Sequence, residues 1–140
     1  VLLPSSGLAA MNQSAPGKAI LLVDHGSVKA EANELLEEIA RLVSGIAPGY
    51  HVEAAHMELA PPDIAAGVAA CVRAGATDIT VMPYMLAPGR HSTGDIPRMA
   101  LQAAEQHDGV LLKVSAPLGA DSRLAEVILR RVEEAGENRG

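Results

Sequence analysis

The sequence predicts an α/β fold of three layers, in which a four-stranded parallel sheet is flanked by helices. Four short apolar segments alternate along the chain with four longer segments whose apolar residues recur every three or four positions. The chain has 140 residues, of which 49% are hydrophobic and 20% charged, which is typical of one globular domain. Strands that alternate with helices pair in parallel, because each helix carries the chain back across the sheet.

The first half of the chain predicts two strands and two helices. Residues 19–23 (AILLV) form a continuous apolar run, which is typical of a strand buried on both faces. An amphipathic helix follows and ends at the Pro-Gly pair at 48–49. Residues 50–59 predict a more polar strand at the sheet edge. The Pro-Pro-Asp segment at 61–63 opens the second helix, since proline is tolerated in a first turn, and Gly75 is placed to cap its end.

The second half repeats the alternation. Residues 79–82 (ITVM) predict the third strand, and residues 83–95 predict a loop that leads to the third helix. Gly109 ends that segment, and residues 110–114 (VLLKV) predict the fourth strand. The last helix is predicted to begin near Asp121.

The termini differ in composition from the body of the chain. Residues 1–17 are rich in Ser, Gly, Ala and Pro and carry no charge, so we expect a flexible N-terminal extension or a cloning remnant there. Residues 18–136 are expected to form a single domain, and residues 137–140 a polar tail. No basic segment precedes an apolar run at the N-terminus, and one cysteine fits a reducing compartment, so we expect a cytoplasmic location.

Charge and composition exclude several classes of function. Eleven Lys and Arg against 17 Asp and Glu give a net charge of −6, which disfavours nucleic-acid binding, and two Tyr without Phe or Trp offer no base-stacking platform. A single cysteine excludes an internal disulfide framework and a cysteine-based zinc site. No apolar run approaches the ~20 residues that a membrane span needs. Neither GxGxxG nor GxxxxGK[ST] occurs, so the sequence indicates no dinucleotide or P-loop site.

Three candidate metal ligands follow successive predicted strands. His25, Glu58 and His91 lie at carboxyl ends, where ligands of open α/β sheets bind, so they can converge on one cavity. Two imidazoles and one carboxylate suit Co²⁺, Fe²⁺, Ni²⁺ or Zn²⁺, and three protein ligands leave coordination positions open. Taken singly, each histidine is better explained as a structural residue and Glu58 as a solvated carboxylate, so the prediction depends on the three together.

Other polar residues near these loops leave alternatives open. Ser27 lies at a predicted helix start, where it either caps the helix or helps to bind an anion. Arg90 either pairs with a substrate carboxylate or is a rim residue. His56 and Glu58 with a distant histidine also match a facial-triad iron oxygenase, but those sites usually occupy antiparallel barrels, which this sequence does not predict.

The segments LLVDHGS, AHMELAPPDIAAGVAACVRAGATDITVMPYMLAPGRHSTGDIP and SAPLGADSRLAEVILRRV together resemble the short-form sirohydrochlorin chelatases, a group of cobaltochelatases and ferrochelatases. The similarity runs from about Lys18 to Glu134. It implies a chelatase-like fold and insertion of a divalent metal into the macrocycle sirohydrochlorin, in cobalamin or siroheme biosynthesis. His25 matches the histidine of the family's HGS motif, Glu58 the Glu of the segment written MEL here, and His91 the GRH histidine. These are the family's metal-handling and catalytic positions.

The resemblance also implies partners. The metal is a substrate, Co²⁺ first and Fe²⁺ or Ni²⁺ as alternatives, and no redox cofactor is implied. Helix N-termini, Ser27, Arg90 and Lys29 are the candidate contacts for the carboxylates of the tetrapyrrole. Short-form members look like half of a two-domain chelatase, so a homodimer is expected.

Three positions depart from the family pattern. Asp24 stands where Gly is common, residues 92–94 replace a more charged stretch, and Met57 replaces an often aromatic residue. The alternative function is therefore a non-catalytic relative that binds metal or tetrapyrrole, and a structural protein with incidental histidines is a third hypothesis.

Overall fold

The computed structural model describes residues 17–137 and confirms the predicted α/β fold. Its sheet has four strands in the order β2-β1-β3-β4, and every neighbouring pair is parallel. The strands are β1 (Lys18–Asp24), β2 (His51–His56), β3 (Asp78–Pro83) and β4 (Leu111–Val114). The predictions for residues 1–16 and 138–140 lie outside the described residues.

Helices join the strands as the sequence predicted, with local differences at their ends. They are α1 (Ala30–Ile46), α2 (Ile64–Arg73), α3 (Ile96–Ala104) and α4 (Ser122–Glu137), and a π-helical turn (His91–Asp95) runs directly into α3. The prediction of loop throughout 83–95 is therefore wrong for its last five residues. Both prolines precede α2 rather than occupying its first turn, because Asp63 is the N-cap and its Oδ1 accepts the Ala66 N–H at 2.8 Å.

The sheet is buried on both faces near its centre. Side chains of β1 alternate between two clusters, since successive residues of a strand point to opposite faces. Leu21 and Val23 pack on the side of α2 and α3, while Leu22 packs with Leu36 of α1 on the other side. Gly67 allows α2 to lie close to the sheet, because a Cβ there would come within 2.7 Å of Leu21 Cδ1 and 3.0 Å of the Ala55 Cβ.

The last helix packs differently from the other three. No residue of α4 is buried, and its apolar positions face outwards. These positions are Val127, Ile128, Leu129 and Val132. On the edge strand β4, Leu111 is also exposed, at 61%. The described part of the fold thus leaves the apolar residues of α4 without a covering layer. Among residues 17–137, none of the helices has the length and hydropathy of a membrane span.

Candidate metal site

The loops that follow β1 and β2 are joined backbone to backbone. The Met57 N–H donates to the carbonyl of Asp24 at 2.9 Å, and the Glu58 N–H donates to the carbonyl of His25 at 3.1 Å. Gly26 lies against the second loop with a φ of 89°, and a Cβ at this position would be 1.7 Å from the carbonyl oxygen of Glu58. Only glycine fits here, because a side chain would collide with backbone and the left-handed conformation is costly for other residues.

A buried side-chain pair lies under this junction. His56 Nδ1 is 2.6 Å from Asp24 Oδ1, and the histidine side chain is 1% exposed. The two residues are register partners at the ends of β1 and β2. The carboxylate of Asp24 is thus engaged by a histidine of the neighbouring strand, so it has a hydrogen-bond partner within the fold. The sequence indicates His56 only as part of an oxygenase pattern and does not indicate this pair, because the second strand is predicted to run on to residue 59, whereas it ends at His56.

The turn that carries His91 is held by its own hydroxyl groups. Ser92 is 4% exposed, and its Oγ accepts the Gly89 N–H at 2.9 Å. The Thr93 hydroxyl donates to the Gly89 carbonyl at 2.7 Å, and the Thr93 N–H donates to the same oxygen at 2.9 Å. These bonds wind residues 89–93 into a helical turn. The uncharged side chains of Ser92 and Thr93 are therefore part of the structure that positions His91.

Two of the predicted ligands, His25 and His91, come together. Their ring centroids are 4.4 Å apart and the ring planes meet at 81°, so one ring edge faces the other. His25 is exposed at the end of β1, whereas the His91 side chain is one-third exposed. Nδ1 of His91 lies 2.9 Å from Oδ2 of Asp95, four residues later in the π-helical turn.

The imidazole pair borders an open cleft of about 420 Å³. Both rings line it, together with Arg90 and a segment that follows β3. That segment supplies Tyr84, Met85, Leu86, Ala87 and Gly89, and Ser92 completes the wall. The cleft thus combines two imidazoles that can bind a metal ion, a guanidinium that can pair with an anion, and an apolar wall that can contact the apolar surface of a ligand.

Glu58 and Ser27 lie outside this lining. The Glu58 side chain is exposed, and the Glu58 backbone is bonded to His25, which does line the cleft. Ser27 Oγ accepts the Lys29 N–H at 3.0 Å, and Lys29 rather than Ser27 is the N-cap of α1. Within residues 17–137, no group of three or more His, Cys, Asp or Glu side chains is arranged to hold a metal ion. The structure therefore brings two of the three predicted ligands into contact.

Two shifted pKa values mark groups near the site and in the core. The hydrogen bond with His91, and then the one from Arg98, lowers the pKa of Asp95 below its usual value. Burial, with a smaller contribution from the charge of Glu53, raises the pKa of the Cys71 thiol to about 12. A buried neutral thiol is a poor metal ligand, so Cys71 belongs to the core.

Asp95 belongs to this site, although the sequence does not mark it as a candidate. Its signal was present as the spacing between the His and the Asp in GRHSTGD, because residues four apart lie on one helix face. This spacing indicates a shared face only in a helix, and the sequence predicts a loop for residues 83–95.

The family model CbiX matches residues 19–135. Among similar curated proteins, the chloroplastic sirohydrochlorin ferrochelatase of Arabidopsis thaliana is 40% identical over 114 residues, which cover 81% of this chain and 51% of the plant protein. The sirohydrochlorin cobaltochelatase of Methanopyrus kandleri is 31% identical over 137 residues, covering 84% of this chain and 96% of the archaeal protein. The chain therefore spans about half the length of the plant relative and nearly all of the archaeal one.

Solved structures give the same grouping. A cobalamin biosynthesis CbiX protein from Marinobacter aquaeolei VT8 superposes with a TM-score of 0.70 at 32% identity, covering 86% of this chain and 98% of the other. SirB from Bacillus subtilis with Fe³⁺ has a TM-score of 0.76 at 29% identity, covering 85% of this chain and 47% of SirB. The fold and the family suggested by the sequence motifs are thereby confirmed.

Proposed function

The chain belongs to the CbiX family, and on that premise we propose that it is a chelatase that inserts a divalent metal ion into sirohydrochlorin. The observation that carries the proposal is the contact between His25 and His91, whose ring centroids are 4.4 Å apart beside an open cleft. Co²⁺ or Fe²⁺ is the proposed substrate metal, with Ni²⁺ as a third option, and the product serves cobalamin or siroheme biosynthesis.

The geometry of the histidine pair suits a shared metal ion. With metal–nitrogen bonds of about 2.1 Å, two imidazoles at neighbouring positions of one ion have ring centroids roughly 4.5–5 Å apart. The separation of 4.4 Å is close to that range, so the spacing of the two rings is compatible with one shared ion. Neutral imidazole binds these metals, and few protein ligands leave positions open for the nitrogens of the macrocycle. Such a site can hold a metal and then release it to the substrate.

Insertion also requires that two pyrrole N–H protons leave the macrocycle. We assign Glu58 either a metal contact or the role of proton acceptor, because its backbone is bonded to His25, which lines the cleft, and its side chain is exposed. Glu58→Gln keeps the shape and removes both the charge and the basicity. If Glu58 is the base, turnover should fall by roughly 10²–10⁴-fold while metal affinity changes little. If it is a ligand, affinity should fall together with turnover, and wild-type values for both would exclude Glu58 from the site.

The eight peripheral carboxyls of sirohydrochlorin need cationic or N–H partners. Arg90 lines the cleft and is the proposed principal contact, since a guanidinium can pair with a carboxylate through two N–H groups. Lys29 and the first turn of α1 follow His25 after a short loop, and the Lys29 side chain makes no cap hydrogen bond there. Ser27 can still donate its hydroxyl hydrogen, although its oxygen already accepts from Lys29.

A second copy of this chain is the proposed partner. The cleft is open to one side, and a macrocycle needs a second wall to be enclosed. The apolar positions of α4, including Val127, Ile128 and Val132, are exposed and would be buried by a symmetric neighbour. Closed twofold symmetry is the commonest solution for such a face. A single domain over 18–136 and a cytoplasmic location remain predictions.

A turnover assay distinguishes an enzyme from a non-catalytic relative that only binds metal or tetrapyrrole. The purified protein is mixed with sirohydrochlorin and Co²⁺ or Fe²⁺, and the visible spectrum of the macrocycle is followed against a reaction without protein. We expect the metallated spectrum to form faster with protein, in proportion to its concentration. Binding of Co²⁺ without any acceleration would identify a metal-binding relative and contradict the proposal.

A further inference from the structure

We infer that Asp95 is a positioning residue, which holds the proton of His91 on Nδ1 and thereby leaves Nε2 free to bind the substrate metal. The inference deepens the proposed function and rests on its assignment of His91 as a metal ligand. Asp95 itself touches neither metal nor macrocycle in this scheme.

The inference rests on the contact between His91 and Asp95, which neighbouring hydrogen bonds hold in place. His91 Nδ1 is 2.9 Å from Asp95 Oδ2, and the two side chains are 33% and 31% exposed. The other oxygen of Asp95, Oδ1, accepts from Arg98 Nη2 at 3.3 Å. The π-helical turn sets the spacing of the pair, since the Ile96 N–H donates to the His91 carbonyl at its end. π-Helical turns of this kind often occur at functional sites.

The chemistry of the pair determines the tautomer. An aspartate has an unperturbed pKa near 3.9, so it is ionised at neutral pH and can only accept hydrogen bonds. A neutral imidazole that bonds to it through Nδ1 must therefore carry its proton there, and its lone pair is on Nε2. Histidine ligands of metals usually have such a carboxylate or carbonyl partner, which fixes the ring and raises its basicity.

The two histidines of the site differ in this respect. Across residues 17–137, neither ring nitrogen of His25 makes a hydrogen bond, and Nε2 of His91 makes none either. His91 therefore has one nitrogen engaged and one available, whereas the tautomer of His25 is not constrained. The site consists of one pre-oriented imidazole and one that can adjust to the metal.

The test reads the tautomer directly in the metal-free protein. Nitrogen NMR of isotope-labelled protein, recorded at a pH above which the imidazole signals no longer change, reports which ring nitrogen carries the proton. We expect His91 in the wild-type protein to be predominantly protonated on Nδ1. In Asp95→Ala this preference should be lost, and Co²⁺ affinity should fall by roughly 10–100-fold, the usual effect of removing such a partner.

Two further variants separate positioning from support of the fold. Arg98→Ala removes the other partner of Asp95 and should leave both the His91 tautomer and Co²⁺ affinity unchanged. Asp95→Asn keeps the shape of the side chain, so it provides the same measurement if Asp95→Ala does not fold. Its amide can turn either its oxygen or its NH₂ to Nδ1, so the preference for Nδ1–H should weaken.

A result against the inference is equally clear. If the folded Asp95 variant keeps the wild-type tautomer preference, or binds Co²⁺ within twofold of wild type, Asp95 does not position His91. Failure of the proposed function gives a different pattern, because the wild-type protein would then show no acceleration of metal insertion while the tautomer still depended on Asp95.

Discussion

Gly26→Ala should weaken the junction on which the site is built. Gly26 has a φ of 89°, and an added Cβ would lie 1.7 Å from the carbonyl oxygen of Glu58 and 2.9 Å from its carbonyl carbon. Both are backbone atoms, so the clash cannot be relieved by a side-chain rotation. The loops after β1 and β2 have to move apart, and this breaks or stretches the hydrogen bonds Met57 N–H to Asp24 O and Glu58 N–H to His25 O.

The size of the effect follows from three costs. A non-glycine residue in the left-handed conformation costs roughly 1–2 kcal/mol. Forcing an extra carbon into a packed contact costs typically about 1–3 kcal/mol. Each of the two hydrogen bonds contributes about 1 kcal/mol. We therefore expect Gly26→Ala to lower the free energy of unfolding by about 4–7 kcal/mol, which is a large part of the roughly 5–15 kcal/mol of a typical domain.

Urea denaturation of matched variants tests this reasoning. Gly75 is the control, because its φ of 100° is equally left-handed and a Cβ there meets nothing within 4 Å. Gly75→Ala should therefore cost only the conformational term, roughly 1–2 kcal/mol. If Gly26→Ala were no more destabilising than Gly75→Ala, the close approach of the two loops would not be the constraint described here.

Three further predictions concern the core, the thiol and the outer helix. Gly67→Ala should destabilise the protein by up to about 3 kcal/mol, because the added Cβ overpacks against Leu21. Gly45 is also in a helix, but a Cβ there meets nothing within 4 Å, so Gly45→Ala should stabilise by about 0.5–1 kcal/mol. If urea denaturation gave changes of the same sign for both variants, the close packing of α2 on the sheet would be contradicted. The pKa of Cys71 is raised from 9.0 to about 12, so the unfolded thiol ionises first and stability should fall between these pH values. Cys71→Ala should flatten this slope in alkaline denaturation curves, and equal slopes would refute the shift. If the chain forms the proposed dimer through α4, Ile128→Asp should shift its mass in light scattering towards that of a monomer, while Arg130→Asp on the same helix should not. An unchanged mass for both variants would exclude this face.

The sequence predicted the fold because its signals are local and periodic. The apolar run at 19–23 indicated a strand buried on both faces, and Leu21 and Leu22 pack into opposite clusters. The end of the second strand was less predictable. The polar strand was expected to reach residue 59 but ends at His56, and Leu59 has a φ of 73°, which turns the chain. A leucine gives no warning of a left-handed conformation, since this state depends on tertiary contacts.

The site was predictable as a location and less so as a geometry. His25 and His91 follow predicted strands, and parallel strands bring their carboxyl ends to one edge, so their approach could be expected. The direction of the Glu58 side chain depends on the conformation of the turn at 57–59, and the residue types in that turn do not indicate this conformation. Asp95 was hidden because its segment contains two glycines and reads as a loop, while its helical form depends on the hydroxyl bonds of Ser92 and Thr93 to Gly89.

The most direct test of the central claim is the rate of Co²⁺ insertion into sirohydrochlorin by three single variants under the conditions of the wild-type assay. His25→Ala and His91→Ala each remove one imidazole of the contacting pair, and His107→Ala removes a histidine that does not line the cleft. If the pair handles the metal, the first two variants should lose most or all of the acceleration and bind Co²⁺ more weakly, while His107→Ala should match the wild type. Full activity in both His25→Ala and His91→Ala would contradict the account.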